Sequence, residues 1–366
     1  MTSATPYKLY GVEMSYYTGK IRPYLRWKQI PFEEIRSGDD IYKSVILPRV
    51  GWPVIPVIVT PEDETLQDTS DMIDYFESKY PEPSIFPTTP KQALAAKLLE
   101  VYGDEWLVIP AMHYRWNYNL DWAIENFGAN MIPDGTREEK MAEGEKRAKN
   151  FKGVVPFLGI NDGTIPGIEK SYEGLLAELN AHFSKYDYLF GSRPSIGDYG
   201  LIGPLYAHNY RDPASGEIMK RLAPECAKWV ERTEFVPEPG SGDFLPNDEI
   251  PETVLPILRR MMREQMPVLQ NTVRLYKEWA EQNDDPEIPR AIGMHEFTVE
   301  GCTGERIVVP FNIWMLQKPH DYYHALTGDD KAAADELLDA IGGDAFRDLK
   351  IERRVMRENF KLVRAD

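Results

Sequence analysis

A chain of 366 residues with 42% hydrophobic side chains has the material for two or three packed domains. Its 59 acidic against 42 basic side chains leave a net charge of −17, which argues against a nucleic-acid binder and disfavours an anionic membrane surface. No apolar run approaches the roughly 20 residues that span a bilayer, Met-Thr-Ser-Ala-Thr-Pro at the start has no signal pattern, and Cys226 and Cys302 make neither a disulfide framework nor a metal-ligand spacing. The expectations are a cytoplasmic protein with no metal and no nucleic-acid or membrane partner.

Tyr7 to Met14 reads as a strand, and Thr18 to Gln29 as a helix through Ile21, Tyr24, Leu25 and Lys28. Phe32 to Ile35 reads as a second strand. Val54 to Thr60 is a third, with Pro56 inside it, and Pro61 to Glu64 is turn chemistry. Leu66-Gln67-Asp68-Thr69 then leads into a helix over Ser70 to Lys79, which Tyr80-Pro81-Glu82-Pro83 stops. The order is βαβ followed by ββα, and a Pro-rich linker over 81–90 closes the unit.

From Lys91 the pattern turns helical, with Leu94, Leu98, Leu99, Tyr102 and Trp106 at helical spacing. Another helix is expected over Tyr172 to Tyr186. Ser195-Ile196-Gly197-Asp198 is a capping box with Asp in place of Glu or Gln. An exposed loop is expected over 234–251 and a long helix over Val254 to Gln282. Phe297 to Glu300 and Arg306 to Val309 flank Gly301-Cys302-Thr303-Gly304 and predict a hairpin. Two helical stretches, Lys331 to Ile341 and Phe346 to Val363, close the chain.

Three signals stand in a fixed order: Ser15 before the first helix, Ile55-Pro56 in the third strand, and Asp68-Thr69 before the next helix. With the gapless run from Leu9-Tyr10 through Ser15 and Arg22 to Phe32, they make the chain resemble the cytosolic glutathione transferase superfamily. The likeness is to its serine-type members, with the first segment most similar to the zeta class. The resemblance covers roughly Tyr7 to Asp212 and leaves the C-terminal part unassigned. It implies an α/β plus all-α fold: a thioredoxin-like domain over 1–88, a helical domain over 89–283 and an extension over 284–366 packed on the helical domain. It also implies a homodimer.

What the resemblance implies for the site is specific. Ser15 falls on the catalytic serine, Pro56 on a cis-proline and Ile55 on the residue whose backbone pairs with the cysteinyl part of glutathione. Asp68 and Thr69 fall on the pair that holds the γ-glutamyl group, with Asp and Thr where Gln or Glu and Ser are usual. Glutathione enters as co-substrate. A free thiol titrates near ~8.5; a hydroxyl donor and a helix N-terminus both favour its thiolate. Ser15 is therefore a thiolate stabiliser, with Tyr16 and Tyr17 as rival donors that also border glutathione. The electrophile pocket is expected among Tyr102, Trp106, His113 and Trp116, which cannot all share one helix face. The expected activity is a glutathione S-transferase attacking an apolar electrophile, aromatic ones included, in detoxification chemistry such as conjugation, ether cleavage, dehalogenation or isomerisation. The alternative is a non-catalytic glutathione-binding or scaffold protein.

Overall fold

In a computed structural model, which describes residues 5–235 and 238–365, the first eighty residues build a four-stranded sheet with helices on both faces. Residues 1–4, part of the segment read for a signal pattern, and Val236-Pro237 of the expected loop lie outside the described residues. Strand β1 (Tyr7–Gly11) pairs parallel with β2 (Phe32–Arg36) and antiparallel with β3 (Val57–Val59), which pairs antiparallel with β4 (Thr65–Gln67). Alternation along β1 and β3 sorts the side chains. Leu9 and Ile58 face α1 (Thr18–Trp27) and α2 (Thr69–Lys79), where they share a core with Ile21, Leu25, Met72 and Phe76. Tyr10, Val57 and Val59 face the other way, against Ile46 and Val50 of the helical turns over 39–50.

The remaining chain is mostly helical. Helix α3 (Pro90–Glu105) is tied to α1 through Lys20 and meets α4 (Ile196–Pro204) at close range: a Cβ on Gly103 would stand 2.2 Å from the Gly200 carbonyl oxygen. The capping box stands at the start of α4. Asp198 accepts from the Ser195 N–H at 2.8 Å, the Ser195 hydroxyl at 2.8 Å, the Leu189 N–H at 3.1 Å and the Trp229 indole at 3.3 Å. The thioredoxin-like unit followed by a helical unit is the fold class the sequence predicts.

Beyond residue 250 several expectations are corrected. The single helix over 254–282 is two, Leu255–Glu264 and Met266–Gln282, because Pro267 can begin a helix but cannot continue one. The hairpin exists as β5 (Met294–Val299) and β6 (Cys302–Ile307), but its turn is Glu300-Gly301, both at positive φ, a two-residue turn whose twist suits the strands. Helix α5 (Phe311–Ala325), with Pro319 inside it, lies where the sequence analysis places no element. Helix α6 (Gly328–Ile341) follows. The helix expected over 346–363 is instead a hairpin, β7 (Val355–Glu358) and β8 (Lys361–Arg364), turned at Asn359 and Phe360 with φ of 48° and 64°.

The extension packs on both units rather than on the helical one alone. Lys318 of α5 pairs with Asp74 of α2 at 2.6 Å, and Met315 Sδ lies 3.7 Å from the Ser70 hydroxyl. Phe360 joins the apolar cluster bordered by Trp52 and Ile55.

Candidate active site

The Ser15 turn is held from several sides. Ser15 Oγ accepts from the Thr18 N–H at 3.3 Å, which satisfies one free donor at the start of α1. Among the described residues no acceptor takes the Ser15 hydroxyl proton, so the group can still donate. Arg115 is the support that sequence reading missed. Buried at 3% exposure, it donates to the Met14 carbonyl at 3.1 Å, to Asp212 at 2.7 and 2.8 Å and to the Ala207 carbonyl at 2.6 Å. Only its aromatic-rich neighbourhood marked it; its partners are a hundred residues away.

Tyr16 and Tyr17 turn from Ser15 toward the end of α3. Tyr16 donates to the Gly103 carbonyl and Tyr17 to the Asp104 carbonyl at 3.2 Å. Burial holds both phenols well above their ordinary pKa, and their protons are already engaged. They lock the start of α1 onto α3, and the structure does not bring either one to Ser15 as a free donor.

Ile55 lies outside the sheet ladders, and neither its N–H nor its C=O bonds to another described residue. The Ile55–Pro56 peptide is cis. Asp68 caps α2 by accepting from the Ser70 N–H at 2.9 Å, with its own φ at 76°. The first N–H groups of α2 that Asp68 does not engage have no intrahelical acceptor, which suits a carboxylate. Thr69 is buried at 2% exposure. Beneath this helix start Lys20, fully buried, donates to Ser70 Oγ at 3.1 Å, Glu100 at 2.7 Å and Asp104 at 2.5 Å. Burial works against its charge, but the Asp104 and Glu100 carboxylates outweigh that and hold it above the ordinary lysine value.

The C-terminal hairpin reaches the same helix start. Arg357 donates to the Gln67 carbonyl at 2.9 Å, to the Gln67 side chain and to Asp71. Trp52 is covered by the Arg290 guanidinium, 4.2 Å from its ring centre, while Arg49 is tied to Asp63 and, at 3.1 Å, to Thr65.

The four aromatic-segment residues diverge. Trp106, beside Glu105 at the end of α3, donates to Glu264 at 3.4 Å and packs edge-on to Phe297. Tyr102 is fully buried. His113 bonds Glu169 at 3.0 Å and Asn117 at 2.8 Å, and burial lowers its pKa. Trp116 packs against Phe127 and Phe151. Tyr102 and Trp106 stand at the end of α3, where the tyrosines dock, while His113 and Trp116 lie farther along the chain.

Cys226 is buried, which pushes its thiol up to about 12. Among the described residues no group of three or more His, Cys, Asp or Glu is placed to hold a metal, and no helix is long and apolar enough to cross a membrane.

Comparison with known families finds two matches. The family described as Glutathione S-transferase, N-terminal domain matches residues 9–84, and that described as Glutathione S-transferase, C-terminal domain matches residues 162–232. No curated protein matches the chain. Among solved structures the chain is similar to a glutathione S-transferase from Rhodospirillum rubrum F11, at 16% identity and a TM-score of 0.41 over 68% of this chain and 97% of that one. A glutathione S-transferase from Methylobacterium radiotolerans, solved with glutathione sulfonate, is 20% identical with a TM-score of 0.41 over 64% and 92%. A Tau class glutathione S-transferase from mango is 18% identical with a TM-score of 0.41 over 68% and 94%.

Proposed function

This chain belongs to the glutathione S-transferase superfamily, and on that premise we propose that it is an enzyme that directs the glutathione thiolate at an aromatic electrophile. In this reading the tripeptide lies along one edge of the sheet. Its cysteinyl backbone pairs with Ile55 beside Pro56. Its γ-glutamyl carboxylate meets the N–H groups at the start of α2, with Asp68 and Thr69 at either side of that point. Its sulfur sits at Ser15. The observation that carries the proposal is the unengaged Ser15 hydroxyl proton at the N-terminus of α1. A donor hydrogen bond and the helix dipole both stabilise the anion that reacts.

In the chemical step the thiolate sulfur forms a bond to the electrophilic carbon, and the leaving group departs with its electron pair. Arg115 keeps the Met14 carbonyl, and with it the Ser15 turn, in place. Tyr16 and Tyr17 fix the turn's other side. Two copies of the chain in a cytoplasmic homodimer complete the reading.

The test is titration of the thiolate absorbance of bound glutathione against pH. The wild-type chain is expected to hold the thiol pKa below that of free glutathione, and Ser15→Ala to move it upward while most affinity remains. Tight binding with an unshifted pKa in the wild type removes the catalytic reading. It leaves a glutathione-binding scaffold, a second reading favoured by Arg357, which already engages Gln67 and Asp71 at the helix start.

A further inference from the structure

One face of the β5–β6 hairpin turns inward. His295, Phe297 and Val299 are buried on β5, and Arg306 of β6 stands opposite His295 in the ladder. Arg306 is 2% exposed, and its guanidinium lies 5.5 Å from the centre of the Trp106 ring and 5.9 Å from that of Phe297. Among the described residues no acceptor bonds any of its guanidinium nitrogens, and Nε and Nη1 are completely enclosed. Both ring nitrogens of His295 are enclosed and unpartnered as well. Glu105, beside Trp106, is buried at 9% exposure and makes no side-chain hydrogen bond among the described residues.

A guanidinium taken out of water without an acceptor is costly, and an apolar residue of similar volume would pack the same space better. A ligand that brings an acceptor removes the penalty. The charges agree with an anionic ligand. Burial pulls Arg306 down only to about 10, so it is a cation at neutral pH. Burial, with Asp104 and Asp68 nearby, pushes Glu105 up to about 8, so it is mostly a neutral donor there. Burial, with Arg306 and Arg274 nearby, drives His295 down to about 4, so it too is neutral.

We propose that Arg306, with His295 and Glu105 around it, binds a carboxylate carried by the second substrate, so that the electrophile is an aromatic acid rather than a neutral arene. The inference rests on the transferase reading and names its substrate class. The glutathione contacts of that reading all belong to the first unit, whereas Arg306 stacks on Trp106 of the second.

The probes are 4-chloro-3-nitrobenzoate and 4-chloro-3-nitrobenzamide, with each enzymatic rate divided by its uncatalysed rate with glutathione. In both, the sulfur–carbon bond forms and chloride leaves with its electron pair. The full-length chain is expected to prefer the benzoate by about tenfold or more in kcat/KM at pH 7, which is about 1.4 kcal/mol. Arg306→Met is expected to abolish that preference while melting no lower than the parent, an outcome that a purely structural arginine would not give. In the wild type the preference should shrink between pH 7 and pH 9, as Glu105 ionises beside Arg306. Lys20, Asp68, Asp104, Tyr16 and Tyr17 are the other groups that act on it.

No preference in the wild type, or a preference that survives Arg306→Met, overturns the proposal. So does a variant that raises KM for glutathione alone, because the arginine then holds a glutathione carboxylate. Calorimetry with 3-nitrobenzoate separates this inference from its premise. Binding that Arg306→Met eliminates upholds the anion site even if neither chloroarene turns over, and equal binding or none in both proteins overturns it.

Discussion

Two buried cations approach the C-terminal end of α3 from different parts of the chain. Lys20, from α1, is fully buried and uses its three donors on Ser70, Glu100 and Asp104. Arg306, from β6, is equally enclosed, lies beside Glu105 and Trp106, and bonds nothing among the described residues. Burial alone therefore does not separate a structural charge from a functional one. What separates them is whether the protein itself supplies the acceptors. Lys20 ties the first unit to the helical one, so its role is complete in the folded chain. Arg306 has the burial of a core residue without the partners of one, which is the condition for recognising something from outside.

Lys20→Met is the harshest test of this contrast. It leaves Glu100 and Asp104 buried without their cation and is expected to cost about 3 to 5 kcal/mol in urea unfolding. A loss below about 1 kcal/mol would mean that Lys20 and Arg306 are not different in kind.

Glu105→Gln sharpens the other side. The Glu105 pKa rises from 4.5 to about 8 on folding, burial being the largest cause. The folded chain therefore holds that proton more tightly between these values, and stability falls as pH rises through the window. Glu105→Gln should be more stable than the parent at pH 8, by about 4 kcal/mol, and within about 0.5 kcal/mol of it at pH 4.5. Chemical denaturation at the two pH values gives the comparison, and an equal offset at both would contradict it.

Arg357→Ala probes the extension where it meets α2. Its pair with Asp71 is half open to solvent on the acid's side, so the loss should be about 1 kcal/mol, with faster proteolysis confined to the terminal hairpin. Smallest in stability is Ser15→Ala, which removes a cap worth about 0.5 to 1 kcal/mol. Its main readout is the thiol titration described above.

Much of the first unit was legible because its signals are local. Alternation in β1, helical spacing from Ile21 to Leu25, and Pro81 to Pro83 after α2 each act within a few residues. Ser15, Ile55-Pro56 and Asp68-Thr69 stood out because their positions relative to strands and helix starts are themselves short-range features. The terminal hairpin was misread because Val355 to Val363 carries no Gly or Pro to mark its turn, and the left-handed pair Asn359-Phe360 has only Asn as a signal. Helix α5 was not legible: Pro319 inside it is locally a helix breaker, and the helix instead packs against α3.

By itself the sequence determined the order of the strands and long helices in the first unit, the Ser195–Asp198 cap and the places of Ser15, Ile55-Pro56 and Asp68-Thr69 beside strands and helix starts, since these depend on backbone preferences and on neighbours three or four residues away. The tertiary structure alone decided that Tyr16 and Tyr17 give their protons to α3, that Arg115 braces the Ser15 turn, and that Arg357 reaches Gln67. It alone decided that Arg306 is buried without an acceptor. Whether a polar group is satisfied depends on atoms brought beside it from tens to hundreds of residues away, and no local pattern in the chain encodes that.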